Sequence, residues 1–341
     1  MHVITGGAGF IGSNFAAKLL ARGEEVVVLD SLRRKGSEEN LKWLKSMGGG
    51  KLVFERLDVA RDIEALQKAV GECDRVYHLA AQVAVTESVA DPRGDFEINA
   101  LGSLNVCEAV RKAATSPHLT YASTNKVYGG LEGIKTKEEE KRYSLLEPKN
   151  GVSEETCVDF HSPYGCSKGC ADQYVRDYHR IYGVDTTVFR QSCIYGPNQF
   201  GIEDQGWLAW FLIASKLGRK LTIYGDGKQV RDVLYVDDLF DAYDKAYEKR
   251  GVSSGKIYNI GGGLEQSISL LEYLGILAGL GVEPEYGFGD WRPGDQKIYV
   301  SDIRKAGREL GWAPKTDKLE GIKRMKAWID ANMGAISERT R

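Results

Sequence analysis

No apolar run in the chain approaches the roughly 20 residues needed to span a bilayer, so a membrane-spanning protein is not expected. Net charge is nearly missing as well: 48 acidic against 46 basic side chains leave −2. Without a basic field, neither nucleic acid nor an anionic membrane surface is an expected partner. The six cysteines (73, 107, 157, 166, 170 and 193) show neither CxxC nor CxxH spacing. Cys166 and Cys170 stand four apart, but no third ligand lies nearby in sequence, so no metal site is expected. The default for such thiols is reduced and partly buried. Met1 is followed within two residues by an apolar strand, which leaves no room for a charged leader. A signal peptide is therefore not expected, and the chain reads as cytoplasmic. Internal repeats are absent, and the 40 glycines are dispersed among turns. What is present is 42% apolar and 28% charged residues over 341 positions. That suits a globular protein of two domains, or one large domain with a lobe.

The first half alternates apolar runs with amphipathic stretches. "HVIT" (2–5), "EVVVLD" (25–30), "KLVFERLD" (51–58), "RVYHLA" (75–80), "LTYAST" (119–124) and "DTTVFRQS" (185–192) read as buried strands. Helical patterns cover 10–22, 36–47, 61–70, 94–115 and 162–182. This alternation predicts an α/β fold: a Rossmann-like, doubly wound parallel sheet covered on both faces. After residue 190 the rhythm breaks. Residues 193–211 read as a loop leading into a short helix. A turn flanked by strands, then a helix, spans 221–239, and "KIYNIGGG" (256–263) reads as a returning strand. Helical segments follow near 267–280, 301–310 and 316–333, with the loop "GFGDWRPGDQK" at 287–297 and a frayed "SERTR" end. The expected division is a dinucleotide-binding domain at 1–190, rejoined by 234–262. A smaller C-terminal α/β substrate lobe takes 191–233 and 263–341.

"ITGGAGFIG" (4–12) places Gly6, Gly9 and Gly12 in a GxxGxxG spacing, with Phe10 and Ile11 inside it, between a strand and a helix. Glycine permits the tight turn and close approach of a pyrophosphate, while the helix N-terminus offers free N–H donors. Asp30 closes the second strand 18 residues past Gly12. A carboxylate there accepts from ribose hydroxyls and repels a 2′-phosphate, which favours NAD over NADP. Arg33, Arg34 and Lys35 argue the other way unless they form a solvated basic turn. Asp58 and Val59 after strand three suit the adenine. Leu79, Ala80, Ala81 and Gln82 after strand four suit the ribose–nicotinamide side, with Asn99 on the next helix bonding nearby or capping it.

"SPYGCSK" (162–168) carries Tyr164 and Lys168 four apart at a helix start, so both project from one face. "STNK" (123–126) supplies Ser123 beside the cofactor and the Thr124 hydroxyl. A phenol near a fixed ammonium and a cationic nicotinamide loses its proton more readily, and Lys168 also suits the nicotinamide ribose. Thr124, Tyr164 and Lys168 are the candidate catalytic residues.

Together, Gly6, Gly9, Gly12, Asp30, Asp58, Thr124, Tyr164 and Lys168 resemble the extended short-chain dehydrogenase/reductase family, in its NAD-dependent epimerase/dehydratase branch. The resemblance spans nearly the entire chain. "STNKVYG", "DFHSPYGCSKG", "DQGW" and "GKQVRDVL" narrow it toward epimerases acting at C2 of a CDP-hexose. It implies tightly held NAD, a CDP-sugar substrate and a homodimer or homotetramer built on 94–115 and 162–182. It also implies substrate contacts. Arg231 and Arg292 match positions that clamp the diphosphate, the alternative being surface ion pairs. Gln191, Cys193 and Gln205 lie where relatives meet the nucleotide or phosphates, although Cys193 departs from the Asn common in 4-epimerases. His161 either approaches the sugar or caps the helix. Trp207, Trp210 and Phe211 read as core or subunit contact.

Dehydratases of this branch usually carry Asp-Glu after the active-site Thr, as acid and base for loss of water. Here the positions hold Asn125 and Lys126. An amide is no acid at neutral pH, and an ammonium reverses the local charge, so elimination is disfavoured and oxidation followed by re-reduction remains. Whether Asn125 and Lys126 also touch the sugar or only shape a turn stays open. A UDP-hexose 4-epimerase, a 2-epimerase of a non-deoxygenated CDP-glucose-type sugar, and a non-enzymatic dinucleotide sensor are the competing readings.

Overall fold

The structure, a computed structural model, describes residues 1–292 and 295–339. In chain order its first strands are β1 (His2–Thr5), β2 (Val26–Asp30), β3 (Leu52–Arg56), β4 (Arg75–His78) and β5 (His118–Thr124). A hairpin follows, β6 (Lys135–Glu138) and β7 (Tyr143–Glu147), then β8 (Thr186–Gln191), β9 (Cys193–Tyr195), β10 (Leu221–Tyr224) and β11 (Val230–Tyr235). The last are β12 (Lys256–Ile260), β13 (Ser267–Ser269), β14 (Tyr286–Gly289) and β15 (Ile298–Tyr299). The helices that matter below are α1 (Phe10–Ala21), α2 (Ser37–Met47), α3 (Ile63–Val70), α4 (Val85–Ala90), α5 (Pro92–Phe96), α6 (Gly102–Lys112), α7 (Ser162–Tyr182), α8 (Trp207–Lys216) and α9 (Val236–Glu248).

One sheet organises the molecule, in the order β12-β8-β5-β4-β1-β2-β3, with every neighbouring pair parallel. Alternate side chains of each strand enter opposite faces, as the pleat requires. Ile4, Val26 and Val28 pack with Phe15 of α1 and Phe240 of α9. Val3, Val27 and Leu29 pack with Leu66 of α3, Val106 of α6 and Val175 of α7 on the other face. Burial on both sides explains the nearly continuous apolar runs of the inner strands. Edge strand β3, expected to be buried, keeps only Leu52 and Phe54 partly covered and leaves Val53 exposed, because no described strand pairs beyond it. The order reverses between β1 and β4, and in such sheets the crevice at the carboxyl ends of that pair takes the ligand.

A second core lies in the lobe, where Leu208 and Phe211 of α8 meet Tyr195, Ile223, Val233 and Tyr273, with Trp207 and Trp210 packed against them. These three aromatics are core, as their spacing suggests. The lobe sheet centres on β11, paired antiparallel to β13 and parallel to β9 and β15. β12 returns to the main sheet beside β8.

Three differences from the sequence reading stand out. The helix expected over 94–115 is broken into α5, a π-turn (Glu97–Leu101) and α6; Gly102 packs so closely on Val59 that a Cβ would lie 2.8 Å from it. The β6–β7 hairpin carries mixed polar residues that give no strand signal. It is held by Tyr143, buried against Val230, Ile298 and Val300. At the other end, helix continues through Met333–Arg339 rather than fraying at Ser337, and Thr340 and Arg341 of the expected frayed end lie outside the described residues, as do Pro293 and Gly294 of the 287–297 loop. Among the described residues, no helix is long and apolar enough to cross a membrane.

Candidate active site

The glycine turn sits where β1 hands over to α1. Gly6 has a φ of 68°, and a Cβ there would lie 2.7 Å from the Ala80 backbone nitrogen. Glycine is therefore needed both for the left-handed backbone and for the approach of the β4 loop. α1 begins at extended Gly9, with no side-chain cap and no acid in its first turn. Its leading N–H groups are left free for an anion, and the helix dipole favours one. Asp30, at the end of β2, is 9% exposed and accepts from the Ala8 and Leu32 N–H groups at 3.0 and 2.8 Å. Burial raises its pKa, and those hydrogen bonds oppose the shift.

These residues line a cleft of about 530 Å³ that runs from the turn to α7. Of the expected cofactor residues, Phe10, Ile11, Gly12, Asp58, Val59, Leu79, Ala80, Ala81, Gln82 and Ser123 also face it. Asn99 does not. It lies 1% exposed behind the wall, where its amide accepts from Gln82 N–H (2.9 Å) and donates to the Gln82 carbonyl (3.1 Å), Asp95 and Ser167. Its place inside the π-turn, which turns it inward, explains the difference from a helix-surface contact.

At the far end of the cleft stand Thr124, Tyr164 and Lys168. Burial pushes the Tyr164 phenol up to about 12; a hydrogen bond with Thr124 lowers it, the Asp95 charge raises it, and the Arg34 charge lowers it. Burial brings the Lys168 ammonium down to about 7 against the opposing pull of Asp172 and Asp95. Lys168 donates to the Ala122 carbonyl at 2.6 Å and stands 4.3 Å over the Tyr121 ring. Its charge is thus tied to the end of β5. Behind it, Asp172 receives both Arg190 donors at 2.9 Å and the Ser123 hydroxyl at 2.7 Å. This pair is 0% and 3% exposed.

The opposite wall is shared: Cys193 and Gln205 come from the lobe, while Lys126 on the turn after β5 and Gln191 at the end of β8 come from the sheet half. Asn125 is buried just behind, accepting weakly from Thr124 at 3.4 Å. The loop before α8 is pinned to the sheet half: Asn14 donates to the Pro197 carbonyl at 2.9 Å and Asn40 to the Asn198 carbonyl at 3.2 Å. Arg231 is paired with Asp295 at 2.7 Å. Arg292 is paired with Asp204 at 3.3 Å and lies 3.8 Å over the Tyr224 ring. Neither arginine lines the cleft, and His161 stands exposed before α7 without capping it. Among the described residues, no group of three or more His, Cys, Asp or Glu is placed to hold a metal.

The sequence left Arg33, Arg34 and Lys35 between a 2′-phosphate contact and a solvated turn; all three line the cleft, and Arg34 hydrogen-bonds Gln205 across it. Asp172 could have been found, since it follows Lys168 by four residues on the same helix face. Asp95 has no such signal, because it meets the Ser167 hydroxyl of α7 only through the packing of α5 on that helix, 72 positions away in the chain.

Comparison with known proteins agrees with this geometry. A profile of the NAD dependent epimerase/dehydratase family matches residues 2–261. The chain belongs to that family. It is 43% identical over 335 residues to CDP-paratose 2-epimerase of Salmonella typhi, covering 96% of this chain and 99% of that one. It is 33% identical to a putative UDP-glucose 4-epimerase of Methanocaldococcus jannaschii, covering 97% and 99%. A solved dTDP-glucose 4,6-dehydratase from Streptomyces venezuelae, with NAD bound, superposes with a TM-score of 0.83 at 30% identity, covering 98% of each chain. NAD is the cofactor, and the uncapped α1 turn, the buried Asp30 and the cleft volume fit it. Gly6, Gly9 and the α1 N–H groups would hold its pyrophosphate, Asp30 its adenosine ribose and Lys168 its nicotinamide ribose. Family members are nucleotide-sugar epimerases and dehydratases, and this chain is an epimerase.

Proposed function

We propose that the chain inverts C2 of a CDP-hexose, of the CDP-paratose to CDP-tyvelose type. The observation that carries the reading is the 43% identity to a CDP-paratose 2-epimerase over 96% of the chain, against 33% for the 4-epimerase relative. Asn125 and Lys126 after Thr124 support it, because they offer no acid and base for eliminating water. On this reading the sheet half holds NAD, and the segments 191–233 and 263–341 hold the nucleotide sugar.

NAD, when bound, would supply the hydride acceptor and then the hydride donor at C2, so the cycle would need no outside reductant. Thr124 accepts and donates a hydrogen bond at the C2 oxygen, which orients the hydroxyl toward Tyr164. The deprotonated Tyr164 takes the hydroxyl proton as the C2–H bond breaks, leaving a 2-keto sugar. Lys168, anchored on the Ala122 carbonyl, would hold the nicotinamide ribose, and the Asp172 and Asp95 charges favour its ammonium form against burial. After the ketone has turned its other face to the cofactor, Tyr164 returns the same proton to the oxygen. Arg231 and Arg292 hold the diphosphate once it displaces Asp295 and Asp204. His161, Gln191, Cys193 and Gln205 contact the nucleotide sugar.

A homodimer contact belongs on 94–115 and 162–182, where Phe96, Leu101 of the π-turn, Tyr174, Ile181 and Tyr182 are exposed apolar side chains; pairing two such dimers would give a tetramer. All six cysteines are free, which suits the reducing cytoplasm. The test is to identify NAD released on denaturation, then to incubate the protein with CDP- and UDP-hexoses and read C2 and C4 configuration by NMR. Inversion of UDP-glucose at C4, with CDP-paratose untouched, would refute the reading.

A further inference from the structure

We infer that Lys126 grips the sugar-proximal phosphate of the substrate and so holds C2, rather than C4, at the catalytic hydroxyls; the idea rests on the epimerase reading above. Lys126 follows Thr124 by two residues on the 3-10 turn Asn125–Tyr128. Its N–H donates to the Thr124 hydroxyl at 3.2 Å. That turn cannot swing away. Val127 and Tyr128 are buried, and the Tyr128 hydroxyl donates to Asn259 at 2.7 Å while accepting from Arg190 at 3.0 Å. The separation between the catalytic hydroxyl and the Lys126 backbone is therefore set by the fold, and the side chain reaches from that fixed point.

The surroundings of Lys126 call for an anion. The side chain lines the cleft, and no hydrogen bond or ion pair from its ammonium to another described residue is present in the structure. The charges of Arg231 on β11 and, with opposite sign, of Asp295 act on it. Asp295 is already engaged by Arg231 at 2.7 Å. Burial raises the Cys193 thiol, which keeps it uncharged. Two cations thus share one carboxylate on a recessed wall. Burial, helped by Arg231, brings Lys126 down to about 8, which is what a cation lacking its partner shows.

Covalent structure connects this charge to the position of reaction. The phosphate hangs from C1. Phosphorus is three bonds from C2 but five from C4. A C2 hydroxyl seated at Thr124 and Tyr164 brings the phosphate to the neighbourhood of Thr124, where Lys126 stands. With C4 seated there, the far edge of the ring would meet the ammonium and the phosphate would lie beyond its reach.

The test compares CDP with CMP, which lacks the sugar-proximal phosphate, by calorimetric titration of NAD-loaded wild type, Lys126→Gln and Lys126→Arg. CDP affinity is expected to fall about ten- to hundredfold in Lys126→Gln, as for loss of a charged hydrogen bond, with CMP affinity unchanged and Lys126→Arg recovering most of the loss. An unchanged ratio of CDP to CMP affinity in Lys126→Gln, including a parallel fall in both, would overturn the inference. Sugar turnover is not part of this readout. A wrong reaction is seen instead as failure of the wild type to invert C2.

Discussion

The two walls of the cleft solve different problems. The sheet wall is closed on itself: Lys168 has the Ala122 carbonyl and the Tyr121 ring, and Asp172 has Arg190 and Ser123. The substrate wall is open. Among the described residues the Lys126 ammonium has no hydrogen-bond or ion-pair partner, while Arg231 and Arg292 are parked on the carboxylates Asp295 and Asp204. A cofactor that must stay through the cycle suits a wall finished before it arrives. A substrate that must enter, turn and leave suits cations whose present partners can be exchanged. Preorganisation belongs where the ligand is permanent, and exchangeable charge where it is not.

Breaking the reacting end should have the largest effect. Tyr164→Phe is expected to lower kcat by about 10²–10⁴, the usual worth of a positioned base, while released NAD per chain is unchanged. Full activity in this variant would refute the proton path. The closed wall is tested next. Asp172→Ala leaves Arg190 buried without its partner and should cost about 3–5 kcal/mol in denaturant unfolding. Replacing both residues by apolar ones should cost less than the single change. The open wall should respond more mildly, with Arg231→Ala raising KM about tenfold at nearly constant kcat.

The smallest effect comes from two charges around the phenol, Asp95 behind the wall and Arg34 in the cleft, which raise and lower the Tyr164 pKa respectively. Activity needs the phenolate, so the rate rises with pH through the Tyr164 titration. Asp95→Asn removes a raising charge and should move that limb to lower pH, whereas Arg34→Gln should move it higher, each by less than about one pH unit. Shifts in the same direction would show that geometry, not charge, governs the phenol.

The sheet half was legible because its signals are local. A buried parallel strand must be apolar along its length, a pyrophosphate turn must be glycine, and Tyr164 and Lys168 share a helix face by spacing alone. The substrate wall was harder. Arg231 and Arg292 were read as a diphosphate clamp or as surface ion pairs, and nothing in "QVRD" or "WRPGD" says that each is occupied by a carboxylate from elsewhere in the chain. Arg34 stood between a 2′-phosphate contact and a solvated turn until the loop before α8 was seen packed across from it. Asn99 was assigned to the cofactor, but the π-turn faces it into the wall.

By itself, then, the order of residues determined the alternation of strands and helices, the nucleotide turn and the phenol–ammonium couple, since each depends on neighbours a few positions apart. Only the folded chain decided which charges are satisfied and which are left waiting. Lys168 meets Ala122 across 46 positions and Arg231 meets Asp295 across 64, and no local periodicity records a meeting that long-range packing brings about.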